Sequence, residues 1–330
     1  MLATGAFDRP KPERMLIPFL KTFWGETYPA DRKAQGRPIS AAYTANCLGK
    51  IKNYIDTYTP FIGLTLDGLT VDALEKWRTW LSGRGLSARG INICLQCVKV
   101  PIGEALRRGL VKSNPCADVK NSAEARTEKG VLTENESRSL IGLLNTEGGD
   151  PRQLAAVLLA LGCGLRRGEI RGLQWADIED GLIHVRHNYT DADGAKAPKC
   201  GSMGKVPVPA YVAEALAHVP RIAGSVLVFP SLVDADRPLS GRWFELAFYS
   251  CMDAIGIISA VRRERNLTLH GMRHSFVTLL QKAGMSLAEA SALARKRDMR
   301  DTDRRYTHGA QVVDFTDAAD RMNALGTAAV

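Results

Sequence analysis

The sequence contains no apolar run long enough to cross a lipid bilayer. Its longest uninterrupted apolar stretch, residues 154–161, falls far short of the roughly 20 residues that a membrane-spanning helix needs. No charged-then-apolar secretory leader opens the chain either. These two absences predict a soluble protein of the cytoplasm that has no membrane partner.

Cysteine is present, but not in a disulfide framework or a complete zinc-binding pattern. Seven cysteines, an odd number, are scattered along the chain, which predicts reduced thiols. Cys94 and Cys97 have C-x-x-C spacing, but a zinc site would need a second pair and a redox site would need a preceding strand. Both lie in an apolar helical stretch, so we interpret them as core residues.

Several common active-site motifs are also missing. The chain has no Walker lysine loop, no nucleotide-binding glycine fingerprint after a strand and no H-E-x-x-H. It has no clear set of acidic residues for two-metal nuclease chemistry either. No site therefore competes with the one described below.

The charge of the chain is unbalanced toward the basic side. Lys and Arg total 44 against 35 Asp and Glu, a net charge of +9. Residues 262–308 contribute much of this excess, with 11 basic and 5 acidic residues. A basic balance favours a polyanionic partner. Because no basic amphipathic anchor helix is evident, nucleic acid is favoured over an anionic membrane surface.

The first part of the chain has the apolar periodicity of amphipathic helices. We predict helices over residues 13–24, 40–58, 70–81 and 87–108. The polar residues 25–38 should form a connection, and Pro101 should break or kink the fourth helix. These helices would form a small bundle, which we place in a first domain, residues 1–122.

The second part combines helices with a few short strands. A linker at residues 123–130 precedes a second domain, residues 131–330, in which Thr133/Glu136 and Ser286/Glu289 have capping-box spacing. Residues 182–187 and 205–208 are the predicted antiparallel strands, with a turn-rich stretch, 191–204, between them. Further helices are predicted from about residue 210, over 243–254 and over 268–283. The fold class is therefore mainly α with a small antiparallel β-sheet (α+β).

Three clusters of chemically active side chains lie in the second domain. They are Arg166 and Glu169 in G-L-R-R-G-E, His270, Arg273 and His274 in H-G-M-R-H, and Tyr306 and His308 in R-R-Y-T-H. Taken singly, Arg166 and Glu169 would be a surface ion pair, His270 a core histidine and Tyr306 a buried anchor. Their order along the chain makes the combination specific.

This combination resembles the catalytic domain of the tyrosine recombinases, the phage-integrase family. The resemblance covers roughly residues 130–310, and residues 10–120 are more loosely similar to the helical core-binding domain of that family. It implies an integrase that cuts and rejoins double-stranded DNA at specific recombination sites, through a 3′-phosphotyrosine intermediate and a Holliday junction. It also implies a homo-tetramer on two DNA sites and, with no competing motif present, a reaction without metal or cofactor.

The resemblance assigns roles that the chemistry explains. Arg166 and Arg273 would clamp the phosphate, because planar guanidinium groups offset the charge that builds on its non-bridging oxygens. Tyr306 would be the nucleophile. His270 would handle protons and bond to the phosphate.

A lysine on the strand hairpin protonates the leaving 5′-oxygen in this family. Lys199 is the residue we choose, and Lys196 and Lys205 stay open because hairpin lengths vary. Supporting roles are expected for Glu169, His274 and His308.

One position departs from the family pattern. Nine residues before the tyrosine, where the family usually has His or Trp, this chain has Arg297. An arginine can donate to a phosphate oxygen but cannot act as a neutral imidazole, so we include Arg297 in the site without transferring that role. The basic run from Arg295 to Arg305 could also be a solvated face, because three aspartates interleave it.

The expected protein is thus a recombinase of a mobile element or phage, associated with the nucleoid, whose two domains grip opposite sides of the DNA. Residues 312–322 would form a tail that docks onto a neighbouring protomer. Two alternatives remain open. A type IB topoisomerase would relax supercoils without a partner site, and a DNA-binding or architectural protein would lack catalysis.

Overall fold

The computed structural model describes residues 14–125, 128–198, 203–295 and 315–327. The chain divides into two compact units, residues 1–126 and 127–330. The fold is mainly helical with small antiparallel sheets, which confirms the predicted class. Within the described ranges, no helix is both long and apolar enough to span a membrane.

The N-terminal unit is a helical bundle. Its elements are α1 (Leu16–Thr22), a π-helical turn (Phe23–Thr27), α2 (Tyr28–Ala34), α3 (Ala41–Tyr54), α4 (Val71–Gly83) and α5 (Ala88–Arg107), with 3-10 turns at Thr59–Phe61 and Pro115–Ala117. The hydroxyls of Ser40, Thr70 and Ser87 accept hydrogen bonds from backbone N–H groups at the starts of α3, α4 and α5. Such caps satisfy N–H groups that have no helical partner, so the three predicted helix starts are confirmed.

Most of residues 25–38 is helical, and only the part from residue 35 on forms the irregular connection that the polarity of this stretch predicts. The helical backbone continues through the π-helical turn into α2 and ends at Ala34. Trp24 is fully buried, and the ring of Tyr28 lies 5.2 Å from that of Phe23 and 5.1 Å from that of Trp24. Because aromatic pairs stabilise beyond the area they bury, this packing holds the polar segment in a helix.

The helix α5 runs unbroken through Pro101. Proline has no N–H, so the carbonyl of Cys97, four residues earlier, lacks its helical donor. The indole N–H of Trp24 donates to this carbonyl at 2.9 Å. A tertiary hydrogen bond thus replaces the missing helical one, and of the predicted break or kink at Pro101 the break is absent. Cys94 and Cys97 are buried on the inner face of α5, as we predicted.

The C-terminal unit packs helices around one apolar helix and two small sheets. Its helices are α6 (Glu134–Gly142), α7 (Pro151–Gly162), α8 (Arg167–Arg171), α9 (Ala210–Ala217), α10 (Gly241–Ala254), α11 (Ser259–Glu264), α12 (Leu269–Lys282), α13 (Leu287–Leu293) and α14 (Phe315–Thr327), with 3-10 turns at Leu143–Asn145 and Trp175–Asp177. Both predicted capping boxes, Thr133/Glu136 and Ser286/Glu289, are present. The central helix α7 is buried along nearly its whole length.

The strands form two antiparallel sheets in the described part of this unit. They are β1 (Ile178–Glu179), β2 (Leu182–Val185), β3 (Asn188–Thr190), β4 (Gly194–Lys196) and β5 (Gly204–Pro207). One sheet has the order β1-β2-β5, and β3 pairs with β4 in the other. Ile183 of β2 lies opposite Val206 of β5, and both are fully buried. The β3–β4 hairpin was missed, because its polar, half-exposed residues lack the apolar alternation of a buried strand.

The last described helix, α14, packs on the unit that carries it. Ala318 and Met322 are buried in the core of that unit, and the Asn323 Oδ1 atom accepts a hydrogen bond from the Ala210 N–H at 2.7 Å. We expected residues 312–322 to dock on a neighbouring protomer. Their described part, from residue 315 onward, packs within its own unit, and docking on a neighbouring protomer stays a prediction.

Candidate functional site

Arg166 and Glu169, the first predicted cluster, lie just after the turn that follows α7. Gly164 has a φ of +59°, which lets the chain reverse after the buried end of α7. Arg166 then caps α8, and the Glu169 carboxylate accepts a hydrogen bond from the Arg166 backbone N–H at 2.9 Å. Arg166 and Glu169 are therefore held together by the local geometry of a helix start.

Glu169 is buried, which excludes the alternative of a surface ion pair. Only 3% of the residue is exposed. Its Oε1 atom accepts from Nη1 of Arg166 at 2.7 Å, and its Oε2 atom accepts from Nη2 of Arg295 at 2.7 Å. Nη1 of Arg273 lies 4.0 Å from Oε2. One carboxylate thus gathers three guanidinium groups that are far apart in the chain.

Arg273 is held on the inner side of α12. It is 3% exposed, and its Nη1 atom donates to the carbonyl of Gly164. Its Nη2 atom is also buried and meets no acceptor among the described residues. Burial, with the charges of Arg295 and Arg166, lowers the pKa of Arg273 to about 9. A buried donor without a partner costs free energy, so this position is suited to an incoming anion.

The arginines also determine the charge state of Glu169. Burial by itself would raise the pKa of its carboxyl, but the charge of Arg295 and the hydrogen bonds and charge of Arg166 outweigh that effect and lower the pKa. Glu169 is therefore ionised at neutral pH. Three guanidinium charges around one carboxylate leave the cluster positive, as a phosphate site requires.

His270 and His274 lie one turn apart on α12. Their rings are 5.9 Å apart and edge-on to each other. His270 is exposed and lines, together with Arg166, a cleft of about 570 Å³. The alternative of a buried core histidine is therefore wrong for His270, whereas His274 is half-buried.

The structure describes two of the three candidate lysines. Lys196, on β4, forms an ion pair with Asp193. Lys205 is exposed on β5, opposite His184 of β2. The preferred residue, Lys199, lies outside the described residues. So do Arg297, Tyr306 and His308, whose roles remain predictions.

Arg295 is a member of the cluster that the sequence did not single out. It follows the end of α13, is 6% exposed and bonds to Glu169. The alternative of a solvated face is therefore wrong for this arginine. The sequence offered one sign of its unusual position. Arg295 directly follows the apolar helix end Leu293–Ala294, at a place where glycine is common.

The described residues contain no group of three His, Cys, Asp or Glu side chains arranged to hold a metal ion.

Two family models match the chain. The model described as "Phage integrase family" matches residues 130–312. The model described as "Phage integrase SAM-like domain" matches residues 20–122.

Curated relatives are tyrosine recombinases by name. A tyrosine recombinase XerC-like protein of Caldanaerobacter subterraneus subsp. tengcongensis is 25% identical over 290 residues, covering 79% of this chain and 72% of the relative. Tyrosine recombinase XerC of Mycobacterium tuberculosis is 27% identical over 252 residues, covering 74% and 81%.

Solved structures share the fold. The Tn1549 transposon integrase in complex with transposon right end DNA superposes with a TM-score of 0.65 at 19% identity, covering 93% of this chain and 99% of that one. A lambda integrase tetramer bound to a Holliday junction gives a TM-score of 0.64 at 19% identity, covering 85% and 75%. The phage integrase model alone spans more than half of the residues, so this chain belongs to the phage integrase family, the tyrosine recombinases.

Proposed function

We propose that this chain is a site-specific DNA recombinase that cuts and rejoins DNA through a covalent bond to Tyr306. The observation that carries the proposal is the cluster around Glu169. Arg166 and Arg273 converge there with excess positive charge, and Arg273 retains a buried donor that has no described acceptor. A DNA phosphate supplies both the charge and the oxygen atoms that this cluster lacks.

The proposed reaction combines this cluster with Tyr306 as the nucleophile. The phenol oxygen of Tyr306 loses its proton and attacks phosphorus, so that a P–O bond to tyrosine forms while the bond to the 5′-oxygen breaks. Negative charge increases on the non-bridging oxygens, where Arg166 and Arg273 stabilise it. Attack by a 5′-hydroxyl on the phosphotyrosine reverses these changes and restores the phosphodiester.

Two further residues would handle protons. His270, exposed beside Arg166, is positioned to bond to the phosphate and to exchange protons. The 5′-oxygen would take its proton from Lys199, with Lys205 and Lys196 as alternatives. The ion pair with Asp193 makes Lys196 less available than the exposed Lys205. Arg297 would add a further donor to the phosphate.

The partner is double-stranded DNA bound by both units. Residues 1–122 would form a DNA-binding domain, residues 123–130 a linker and residues 131–330 the catalytic domain. The assembly would contain four copies on two DNA sites, in line with the lambda integrase tetramer on a Holliday junction. A mobile element or phage is the expected setting, while the XerC names of the curated relatives favour a Xer-type task as the second candidate.

A suicide substrate tests this function. Duplexes that cover the DNA flanking the gene, nicked so that the cleaved strand cannot religate, are incubated with wild-type protein and with Tyr306→Phe. We expect the wild type to form a covalent protein–DNA adduct. Tyr306→Phe should bind the same DNA without forming the adduct, because its side chain has no nucleophilic oxygen.

Three outcomes would contradict the proposal. An adduct with Tyr306→Phe would show that another residue is the nucleophile. Binding without any wild-type adduct would favour a non-catalytic DNA-binding protein. Relaxation of a supercoiled plasmid that lacks specific sites, without strand exchange, would favour a type IB topoisomerase.

A further inference from the structure

Arg295 occupies a backbone conformation that arginine rarely adopts. Its φ is +51°, in the left-handed region, which is unfavourable for a residue other than glycine. Its guanidinium is nevertheless buried, with 4% of the side chain exposed. A strained, buried cation persists only where surrounding interactions hold it.

The guanidinium and the backbone carbonyl of Arg295 both bond to residues of the Glu169 cluster. Its Nη2 atom donates to Oε2 of Glu169 at 2.7 Å, the same oxygen that accepts the backbone N–H of Arg166. Its carbonyl accepts a hydrogen bond from Nη2 of Arg166 at 3.4 Å. The left-handed turn thus lets one residue hold the guanidinium of Arg166 directly and the carboxylate beside it.

The stem of Arg295 also contacts the β2–β5 sheet. A Cβ atom added to Gly204, at the start of β5, would lie 3.2 Å from the Cδ atom of Arg295. The chain segment that carries Lys199 leads directly into this strand. Arg295 therefore joins the start of β5 to the Glu169 cluster.

We propose that Arg295 is a positioning residue for strand cleavage, which holds Glu169 and the Arg166 guanidinium in the orientation that receives the phosphate. This inference rests on the proposed recombinase function. It does not make Arg295 a phosphate ligand, because the Nη1 and Nη2 atoms of Arg295 already donate to the Leu293 carbonyl and the Glu169 carboxylate.

The electrostatics of Glu169 supply a readout that simple packing would not. The charged groups facing this carboxylate are Arg166, Arg273 and Arg295, while the buried Cys163 faces Arg295. Loss of Arg295 leaves the effect of burial less opposed, so the pKa of Glu169 rises. A neutral Glu169 no longer holds the Arg166 guanidinium as an ion pair. As the pH is lowered, the cleavage rate of the variant therefore begins to fall at a higher pH than that of the wild type.

The experiment compares Arg295→Gly with two variants. Arg295→Gly removes the guanidinium and relieves the backbone strain. Arg295→Lys keeps the charge but not the planar donor pair. The matched control is Asp180→Gly, which relieves a similar φ of +51° at an exposed turn away from the site. Single-turnover adduct formation on the nicked substrate is measured from pH 4 to 8, with DNA affinity and thermal stability for each protein.

We expect Arg295→Gly to cleave on the order of tenfold or more slowly, with DNA affinity within about twofold of the wild type. Its acidic limb should move to higher pH, and Arg295→Lys should recover part of the rate and of the pH profile. Asp180→Gly should match the wild type in cleavage rate and in pH profile.

Other results would overturn the inference. If Arg295→Gly cleaves at the wild-type rate, Arg295 has no positioning role. The same holds if its cleavage rate falls only in proportion to its unfolded fraction and its pH profile does not move. If that variant does not fold, Gly204→Ala replaces it, because the added methyl displaces the Arg295 stem. A wild-type cleavage rate in Gly204→Ala then overturns the inference. Absence of any wild-type adduct rejects the recombinase function itself, a distinguishable result.

Discussion

Glu169 shows how a single buried residue organises a cationic site. Bringing guanidinium groups together out of water is unfavourable unless an opposite charge compensates them. The Glu169 carboxylate supplies that charge to Arg166 and Arg295 directly and to Arg273 at 4.0 Å. The cluster still retains excess positive charge, so its most favourable state is one with an anion bound.

Replacement of Glu169 by glutamine should destabilise the protein strongly. The amide keeps the shape of the side chain but leaves three buried or half-buried cations without their counter-charge. Removing one partner of a buried ion pair costs about 3–5 kcal/mol, and urea unfolding at pH 7 measures the loss. Glu134→Gln is the matched control, because Glu134 pairs with Arg138 where both side chains are half-exposed, and there we expect a loss of only about 1 kcal/mol.

The destabilisation by Glu169→Gln should also depend on pH. The folded-state pKa of Glu169 is lowered from its ordinary value of 4.5. Its carboxylate therefore stabilises the fold fully above that value, and this contribution is lost as the pH falls through the lower folded-state pKa. The difference in unfolding free energy between wild type and variant should thus shrink below about pH 4.5. A difference that stays constant from pH 7 to pH 3 would contradict this assignment.

Gly164 is required both for its backbone conformation and for its contact with Phe276. An added Cβ would lie 2.6 Å from the Phe276 ring, at a φ of +59°. Gly164→Ala should therefore destabilise the protein by about 2–4 kcal/mol, part from the left-handed backbone and part from overpacking. It should also slow cleavage, because the carbonyl of Gly164 holds Arg273.

Gly181→Ala separates the two contributions. Gly181 has a similar φ of +71°, but no atom lies within 4 Å of an added Cβ. This variant should lose only about 1–2 kcal/mol and cleave normally. Equal losses in the two alanine variants would show that the contact with Phe276 is unimportant.

Local sequence signals predict where most helices begin, but they do not always predict how far a helix continues. Ser40, Thr70 and Ser87 cap their helices because a hydroxyl acts within three residues of its own position. Such effects need no tertiary partner, so they can be predicted from the sequence. The continuation through residues 25–34 depends on the packing of Tyr28 against Phe23 and Trp24. The continuation through Pro101 depends on the indole of Trp24, which comes from elsewhere in the unit.

A double-mutant cycle tests the bond between Trp24 and α5. Trp24→Phe removes the donor to the Cys97 carbonyl and leaves that carbonyl unsatisfied, which costs about 1–3 kcal/mol in addition to the cavity. In a Pro101→Ala background, the restored N–H of residue 101 can satisfy the same carbonyl. We therefore expect Trp24→Phe to cost about 1 kcal/mol less there, measured by urea unfolding. Strictly additive losses would contradict the replacement of the helical bond by Trp24.

For the whole molecule, net charge determines how binding responds to salt. The chain carries +9, and each phosphate that it neutralises releases condensed counterions. For roughly 6–10 phosphate contacts, we expect the affinity for duplex DNA to fall by about 10³–10⁵ between 50 and 200 mM salt. Fluorescence anisotropy with a labelled duplex measures this dependence. A change of less than about tenfold would contradict binding dominated by phosphate contacts.

Residue types and short spacings are enough to predict the fold class, the capped helix starts and the candidates Arg166, Glu169, His270 and Arg273. These depend on residue type and on spacing over a few positions, which one-dimensional patterns contain. The sequence also carried the family resemblance, because three motifs in order are far rarer than any one of them.

The distant groups that share the carboxylate of Glu169 could not be predicted, because they come from other parts of the chain. Arg295 lies 126 positions from Glu169, and its basic surroundings gave no sign that it would be buried. Nor did the sequence show that Trp24 would satisfy the carbonyl left open by Pro101. Both contacts exist because buried charges and carbonyls must find partners in space, and the packing of the whole unit, not the order of residues, selects those partners.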